Sequence, residues 1–253
     1  KRQLLRQGLP ADHLHIVEPF APTRQQLLDT HGVKALETAS ASLVQAELVV
    51  WAVKPQVFKE AAEQSASFTR HALHLSVAAG IRTDSMVAWL QTERVVRAMP
   101  NTPALIGLGQ TGLYARPGVS AEDHRLIEQV MSSTGQYLWV EQESLLDAVT
   151  AISGSGPAYV FYFIEAMCRS AERMGLSPEQ ARQLAIGTFS GAAELAHRST
   201  DTPAVLRERV TSKGGTTYAA LTSMQASAVA EHFEAALEAA RARAAELGEA
   251  FGR

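Results

Sequence analysis

The sequence predicts a two-domain α/β protein, with a doubly wound, mostly parallel sheet in residues 1–142 and an all-α domain in residues 143–253. Short apolar runs alternate with segments of helical periodicity up to about Gln142, the order that builds a parallel sheet with helices on both faces. Beyond that point strand signals disappear and long alanine-rich helical segments take over. Strands followed by helices indicate two domains.

The predicted strands of the first domain are short apolar runs bounded by turn residues. In chain order they cover residues 14–18, 47–53, 72–78, 94–99, 111–115 and 136–140. The helices predicted between them cover residues 22–31, 56–68, 83–90 and about 120–133. The strand at 47–53 is nearly continuous in apolar residues, as expected when both faces of a strand are covered.

The beginning of the chain departs from this alternation. Residues 1–7 predict the last turns of a helix that Gly8 closes, but no strand precedes them. Dinucleotide-binding folds carry a G-x-G-x-x-G turn between their first strand and first helix, and this element is missing at that place. Either about fifteen to twenty upstream residues are missing, or the protein has lost dinucleotide binding. A free edge beside buried strands is costly, which favours missing residues.

The second domain is predicted to consist of helices only. They cover residues 144–152, 157–174, 178–197, 203–209, a segment beginning near 217, and about 228–251. The last of them carries an apolar seam, formed by Phe233, Leu237, Ala240, Ala244, Leu247 and Phe251. Residues 159–167 are apolar nearly all round and need neighbours to enclose them, so we expect a helical homodimer. An intrachain core is the alternative, and assembly into a larger homo-oligomer is left open.

Composition excludes several classes of function. The chain has 23 basic and 26 acidic side chains and a formal charge of −3, far from the basic excess of nucleic-acid-binding proteins. Cys168 is the only cysteine, so neither an intrachain disulfide nor a cysteine-based zinc site is expected. No apolar run approaches a membrane span, and the first residues do not resemble a signal peptide. We therefore expect a cytoplasmic protein without metal, nucleic-acid or membrane partners.

Two glycine-containing loops in the second half are the candidates for chemistry. The first, residues 153–159 (SGSGPAY), interrupts a helical region and exposes backbone N–H groups and hydroxyls. In the second, residues 210–221 (VTSKGGTTYAAL), Gly214 and Gly215 allow unusual backbone shapes, and N–H groups converge at a helix N-terminus that favours an anion. We interpret the second loop as a carboxylate cradle. A structural turn with Thr216 as helix N-cap is the alternative.

With its flanks from Pro203 to Gln225, the second loop closely resembles the signature of the pyrroline-5-carboxylate reductase family, the enzymes that complete proline synthesis. Further matching blocks follow in the family's order, namely 52–55 (AVKP), 78–80 (AAG), 99–103 (MPNTP), 147–150 (DAVT) and 153–159. The resemblance covers nearly the whole chain. It implies an N-terminal Rossmann domain that binds NADPH or NADH, a C-terminal helical dimerisation domain, and active sites built between subunits.

The resemblance also implies roles for individual residues. The implied cofactor contacts are Ala52, Val53, Lys54, Pro55, Ala78, Ala79, Gly80 and Asn101. Most of them follow predicted strands, and open α/β sheets bind ligands at the carboxyl ends of their strands. The implied substrate contacts are Ser212, Lys213, Gly214, Gly215, Thr216 and Thr217, with Thr217 nearest the ring nitrogen as the catalytic residue. Arg209 and Ala39 depart from the asparagines that some relatives show.

Glu18 is a further candidate cofactor contact. It ends a predicted strand where an acidic side chain can accept hydrogen bonds from the adenosine ribose and repel a 2′-phosphate, which favours NAD. Arg24 lies six residues later and could instead meet a 2′-phosphate. Because relatives commonly use NADPH, the choice between the two cofactors stays open.

The implied reaction is the reduction of 1-pyrroline-5-carboxylate, a cyclic imine with a carboxylate, to L-proline by hydride transfer from nicotinamide. Neither glycine-containing loop holds a His, Asp or Glu, so we expect catalysis by positioning rather than by a strong side-chain acid. Two alternatives are a related two-domain hydroxyacid dehydrogenase and a non-catalytic dimeric scaffold.

Overall fold

A computed structural model describes Pro10 and residues 13–251. The helix predicted at residues 1–7 and the Gly8 that closes it lie outside the described residues. The chain forms two compact units: the first contains the described residues up to Ser155 together with those from Ala240 onward, and the second is Gly156–Ala239. The first unit is thus larger than the predicted domain of residues 1–142, and a domain boundary near Gln142 stays a prediction.

The described strands of the first unit form two sheets. Strands β1 (Ile16–Val17) and β2 (Ala35–Leu36) pair in parallel. A five-stranded sheet has the order β3 (Leu48–Trp51), β4 (Leu73–Ser76), β5 (Val95–Met99), β6 (Gly109–Ala115) and β7 (Gly135–Trp139). All its pairs are parallel except β5 with β6. The predicted α/β class and the mostly parallel sheet are confirmed.

The helices of the first unit begin and end at recognisable local signals. Those that follow the strands of the two sheets are α1 (Ala21–His31), α2 (Pro55–Thr69), α3 (Thr83–Leu90) and α4 (Ala121–Ser132). Gly32 ends α1 with φ +66°, and a capping box of Ser120 and Asp123 opens α4. Residues 107–112 (GLGQTG) carry the letters of a dinucleotide motif, but Gly109 and the three residues after it already belong to strand β6, and the motif opens no helix.

The segment after the sheet departs from the regular helix predicted at 144–152. Helix α5 covers only Leu145–Val149, and a wider π-helical turn follows at Thr150–Gly154. In this turn the Ser155 N–H donates to the Thr150 carbonyl oxygen, five residues back. The Thr150 and Ser153 hydroxyls donate to carbonyl oxygens four residues back. These competing side-chain bonds favour the wider turn, and π turns are frequent at functional sites.

The sheet is covered on both faces, as the doubly wound prediction requires. Consecutive residues of β5 point to opposite faces, so Val95 and Val96 enter different buried clusters. The cluster on the side of α2 and α3 consists of Trp51, Phe58, Ala62, Ala78, Ile81, Met86, Leu90 and Val95. The cluster on the side of α4 consists of Leu73, Leu75, Val96, Ala98, Leu113, Ile127 and Met131.

The second unit is helical, as predicted. It contains α6 (Gly156–Arg173), α7 (Pro178–Arg198), α8 (Pro203–Arg209), α9 (Thr216–Ala226) and the first part of α10 (Val229–Phe251). Helices α6 and α7 pack against each other, and a capping box of Ser177 and Gln180 opens α7. None of the described helices is long and apolar enough to cross a bilayer.

The apolar seam of α10 has intrachain partners at both ends. Phe233 packs edge-on against Tyr159 and Phe163 of α6, whereas Phe251 packs on the Trp51 cluster of the first unit. Helix α6, in contrast, is not covered along its length within this chain. None of its residues is buried, and Phe161 and Tyr162 are each 64% exposed. The seam therefore fits the intrachain alternative, while α6 retains the exposed apolar surface from which a dimer was predicted.

Candidate active site

Three predicted cofactor segments leave the sheet at the same edge. Strands β3, β4 and β5 run in parallel, with Trp51 opposite Ser76 and Ser76 opposite Arg97. The residues that follow these strands therefore emerge side by side. The Val77 N–H, which donates to the Trp51 carbonyl oxygen at 3.1 Å, continues the pairing to this edge. The structure thus brings residues 52–55, residues 78–80 and Asn101 to one edge of the sheet.

Small side chains make this edge accessible to a flat ligand. Ala52 and Ala79 are exposed at the ends of their strands, and Gly80 is buried with φ +76°. Lys54 is exposed and precedes α2 as its N-cap without a side-chain capping bond. With few side-chain atoms in the way, a dinucleotide can approach the backbone at Ala52 and Ala79 closely. The described residues at this edge therefore fit NADPH or NADH.

Asn101, in the loop that follows β5, forms hydrogen bonds with strand β6 and with the π turn. Its Oδ1 accepts a hydrogen bond from the Gln110 N–H at 2.9 Å, and its Nδ2 donates to the Ser153 carbonyl oxygen at 3.1 Å. The π turn also approaches Met99, because a Cβ atom on Gly154 would lie 2.6 Å from Met99 Cε. The loop that follows β5 and the π turn are therefore in direct contact.

Glu18 and Arg24 lie beside each other at the end of β1. One Glu18 carboxylate oxygen accepts from the Phe20 N–H at 3.0 Å. Arg24 Nη1 donates to the carbonyl oxygens of Glu18 and Pro19 at 2.9 and 2.7 Å, and its Nη2 lies 3.4 Å from Glu37 Oε2. The two residues that were predicted to favour different cofactors are thus in direct contact at the end of β1, and Glu37 partly neutralises the arginine.

The predicted substrate loop forms a tight turn in the second unit. Gly214 adopts φ +74°, and the Gly215 N–H donates to the Ser212 carbonyl oxygen at 3.0 Å. Helix α9 begins at Thr216 with Gly215 as its N-cap and without a side-chain capping bond. The alternative in which Thr216 is the N-cap is therefore wrong. The first-turn N–H groups of a helix have no intrahelical acceptor, so this turn offers donors to a small anion.

The predicted site residues are divided between the two units. The cofactor candidates belong to the first unit, whereas the substrate candidates Ser212–Thr217 belong to the second. Arg209, which precedes the substrate loop, forms an ion pair with Asp201. Among the described residues, no group of three His, Cys, Asp or Glu side chains could hold a metal ion.

Comparison with known proteins identifies the family. Residues 143–247 match the family model described as pyrroline-5-carboxylate reductase dimerisation. The pyrroline-5-carboxylate reductase of Pseudomonas aeruginosa is 43% identical over 98% of this chain and 91% of its own length. The chain belongs to the pyrroline-5-carboxylate reductase family. The resemblance noted in the sequence is therefore confirmed.

Solved structures of this reductase family agree with the fold. The structure of a pyrroline-5-carboxylate reductase from Coxiella burnetii matches with a TM-score of 0.90 and 34% identity, over 97% of this chain and 92% of its own. That of Plasmodium falciparum pyrroline carboxylate reductase with NADP bound matches with a TM-score of 0.77 and 26% identity, over 87% of each chain. These matches confirm the predicted combination of a Rossmann-like domain and a helical domain.

The sequence analysis missed a buried ion pair between Arg97 and Glu143. Arg97 of β5 is 3% exposed and lies 3.0 Å from Glu143, which stands just before α5. The two residues are 46 positions apart, so no spacing pattern links them. The available signal was an arginine inside an otherwise apolar strand, because a buried arginine needs an acidic partner.

Proposed function

We propose that this protein reduces 1-pyrroline-5-carboxylate to L-proline with NADPH or NADH, as the final step of proline biosynthesis. One observation carries this proposal: the 43% identity to the Pseudomonas aeruginosa enzyme extends over 98% of the chain, so it includes both units. A non-catalytic scaffold would need to preserve only the helical unit, so similarity over both units favours the enzyme.

The cofactor site is proposed at the carboxyl edge of β3, β4 and β5. The residues that would hold the dinucleotide there are Ala52, Val53, Lys54, Pro55, Ala78, Ala79, Gly80 and Asn101, with Glu18 toward the adenosine ribose. When bound, NADPH or NADH supplies the hydride that adds to the imine carbon. The residues of this edge orient the nicotinamide and exclude water from one of its faces.

The substrate site is proposed at the turn that precedes α9. The backbone N–H groups of residues 213–217 bind the carboxylate, apart from that of Gly215, which donates to the Ser212 carbonyl oxygen. The turn and the helix N-terminus present the remaining donors to an anion. The Thr217 hydroxyl hydrogen-bonds the ring nitrogen and so fixes which face of the imine carbon meets the hydride. Protonation of that nitrogen makes the carbon electrophilic. Since residues 210–221 hold no His, Asp or Glu, positioning is the main contribution of this loop.

We further propose that the protein acts in the cytoplasm as a homodimer or as a larger homo-oligomer built from dimers. The family model that matches residues 143–247 is described by dimerisation. Exposed apolar side chains on α6, including Phe161 and Tyr162, supply a surface that a second copy could cover.

A direct assay tests the proposed reaction. We expect the purified protein to oxidise NADPH or NADH only when 1-pyrroline-5-carboxylate is present, with one equivalent of proline formed per cofactor. A small 2-oxo acid in place of the imine serves as the comparison substrate. Oxidation with the oxo acid alone would favour the hydroxyacid dehydrogenase, and the absence of oxidation and of cofactor binding would favour the scaffold.

A further inference from the structure

Glu143 accepts hydrogen bonds from three donors that belong to two different elements. Its Oε1 accepts from the Thr83 N–H at 2.9 Å and from Arg97 Nη1 at 3.0 Å, and its Oε2 accepts from the Thr83 hydroxyl at 2.6 Å. The side chains of Arg97 and Glu143 are 3% and 15% exposed. Glu143 therefore fixes the start of its segment to both strand β5 and the first residue of α3.

The segment that begins at Glu143 lies on β5 and β6. Arg97 and Met99 are two residues apart in β5 and share one face of the sheet. Met99 pairs with Gly112 of β6, and a Cβ atom on Gly112 would lie 2.7 Å from Val149 Cγ1 of α5. At the far end of the same segment, Gly154 approaches Met99 equally closely. Residues 143–154 are thus packed along this face, with Glu143 at one end and the π turn at the other.

The far end of this segment holds Asn101, since the Ser153 carbonyl oxygen accepts from Asn101 Nδ2 at 3.1 Å. A second acid, Asp147, lies one turn beyond Glu143, but its nearest contact to Arg82 is 3.8 Å, longer than a hydrogen bond. Its Oδ1 is buried without a hydrogen-bond partner among the described residues. Among these two acids, therefore, only Glu143 fixes the segment by short directional bonds.

We propose that Glu143 is a positioning residue for hydride transfer: held by Arg97 and Thr83, it fixes residues 143–154 so that Ser153 orients the Asn101 amide. This inference rests on the proposed function, in which Asn101 is a cofactor contact, and it takes the nicotinamide to be the part of the cofactor that Asn101 contacts. A purely apolar contact could stabilise the segment as well as a buried ion pair does. Directional bonds to two elements additionally fix where the segment lies along the face.

Glu143→Gln tests this role, because it keeps the size of the side chain and turns one accepting oxygen into a donor that faces other donors. We expect kcat for imine reduction to fall by about tenfold to a hundredfold, since small misplacements at a reaction site are this costly. We expect the Kd for NADPH, measured by cofactor fluorescence, to change by less than about threefold.

Asp123→Asn is the matched control. Asp123 is 5% exposed and pairs with Arg94 at 2.6 Å, at the amino end of the same strand and away from the carboxyl edge. It makes the same carboxylate-to-amide change beside an arginine of the β5 region. We expect it to lower Tm at least as much as Glu143→Gln and to leave kcat within about twofold. Equal losses of kcat in the two variants would overturn the inference.

A double-mutant cycle separates positioning from a general structural effect. If Glu143 acts through Asn101, Glu143→Gln will lower kcat by less than about twofold in an Asn101→Ala background. Additive losses would overturn the inference. If Glu143→Gln does not fold, the same cycle uses Thr83→Val, which removes one donor and is expected to lower kcat by about threefold.

The outcomes also separate this inference from the proposed function. An unmodified protein that does not oxidise NADPH with the imine would contradict the function itself. An active protein in which Asn101→Ala lowers kcat and Glu143→Gln does not would contradict only the positioning role. A loss in Glu143→Gln together with a normal Asn101→Ala variant would overturn it as well, because the effect would then bypass Asn101.

Discussion

Phe251, at the end of α10, lies directly against Gly80 in the loop that follows β4. A Cβ atom on Gly80 would stand 2.8 Å from Phe251 Cδ2 and 3.4 Å from the Leu247 carbonyl oxygen. Phe251 also packs on the buried cluster that contains Trp51 and Phe58. The end of the last helix therefore restricts the loop that we propose as a cofactor contact, and it does so through a glycine whose φ is +76°.

Gly80→Ala is expected to lower the free energy of unfolding by about 3 kcal/mol, because it combines left-handed strain with overpacking. Gly32→Ala is the control, since Gly32 has φ +66° but nothing within 4 Å of an added Cβ. In Gly32→Ala the free energy of unfolding should fall by only about 1 kcal/mol. Urea unfolding measures both. Equal losses would show that Phe251 does not resist the added methyl group.

His74 gives the protein a predictable response to acid. Trp51 Nε1 donates to His74 Nδ1 at 3.0 Å, so the ring proton is on Nε2, which lies 3.0 Å from the Thr69 carbonyl oxygen. Burial of the ring lowers the pKa of His74 from 6.5 to about 4. The unfolded chain therefore binds a proton between these values while the folded protein does not.

We expect this histidine to destabilise the fold as pH falls from 6.5 to 4, by at most about 3 kcal/mol, and to have no effect above that window. His74→Asn, whose amide oxygen can accept from Trp51, should lose this part of the pH dependence. The measurement is the urea midpoint at several pH values, with His71→Asn as an exposed control. An unchanged slope in His74→Asn would contradict a buried neutral ring.

Local signals explain why most elements were predicted within about two residues. Helix α3 at Thr83–Leu90 and helix α8 at Pro203–Arg209 have the predicted bounds, because turn and proline signals mark their first residues. Strand β2 was missed, since two residues show no periodicity. The antiparallel β5–β6 pair had a signal that was not used: no helix was predicted between residues 99 and 111, and parallel neighbours need a long crossover.

The sequence predicted the cofactor part of the candidate site, because those residues could be placed at the carboxyl ends of predicted strands. Residues at the ends of predicted strands were assigned to the cofactor, and β3, β4 and β5 do bring them to one edge. The cap of α9 was not decided by sequence, because Gly215 and Thr216 are both acceptable N-caps. The pairs Arg97–Glu143 and Trp51–His74 depend on tertiary packing, which a single sequence does not encode as spacing.

Arg24 and Glu37 are expected to influence the choice between NADPH and NADH at the proposed cofactor site. The guanidinium lies at the end of β1, and Glu37 partly neutralises it at 3.4 Å. Arg24→Ala should lower the NADPH-to-NADH ratio of kcat/KM by about tenfold, because a phosphate loses a charged donor. Glu37→Gln should raise this ratio by about threefold, because a negative charge is removed from the vicinity of the phosphate.

Glu63→Gln is the control for these cofactor variants, since it removes an exposed carboxylate from α2. It should leave the ratio unchanged. A ratio that stays constant in Arg24→Ala would remove this arginine from the adenosine end of the site and would leave Glu18 as the remaining candidate there.

The exposed face of α6 should determine the oligomeric state. Phe161 is 64% exposed on this helix, and Phe20 in the first unit is 62% exposed. Phe161→Glu should shift the protein toward monomers, because a charge in an apolar interface is left without a partner. Phe20→Glu makes the same change at equal exposure and should not. Light scattering after size exclusion measures the molar mass of both variants. If neither mass differs from that of the unmodified protein, the subunit interface lies elsewhere.

Substitutions of Thr217 distinguish a chemical role from a structural one, because Thr217 lies in the first turn of α9 but the N-cap of this helix is Gly215. Thr217→Ala should therefore change the free energy of unfolding by less than the roughly 1 kcal/mol of a lost cap, while lowering kcat by about a hundredfold. Thr217→Ser, which keeps the hydroxyl, should recover most of the rate. Thr222→Ala on the same helix removes a hydroxyl that donates to the Tyr218 carbonyl oxygen at 2.9 Å, and it should leave kcat unchanged. Normal turnover in Thr217→Ala would mean that the carboxylate-binding turn alone orients the imine, and that no hydroxyl is needed at the ring nitrogen.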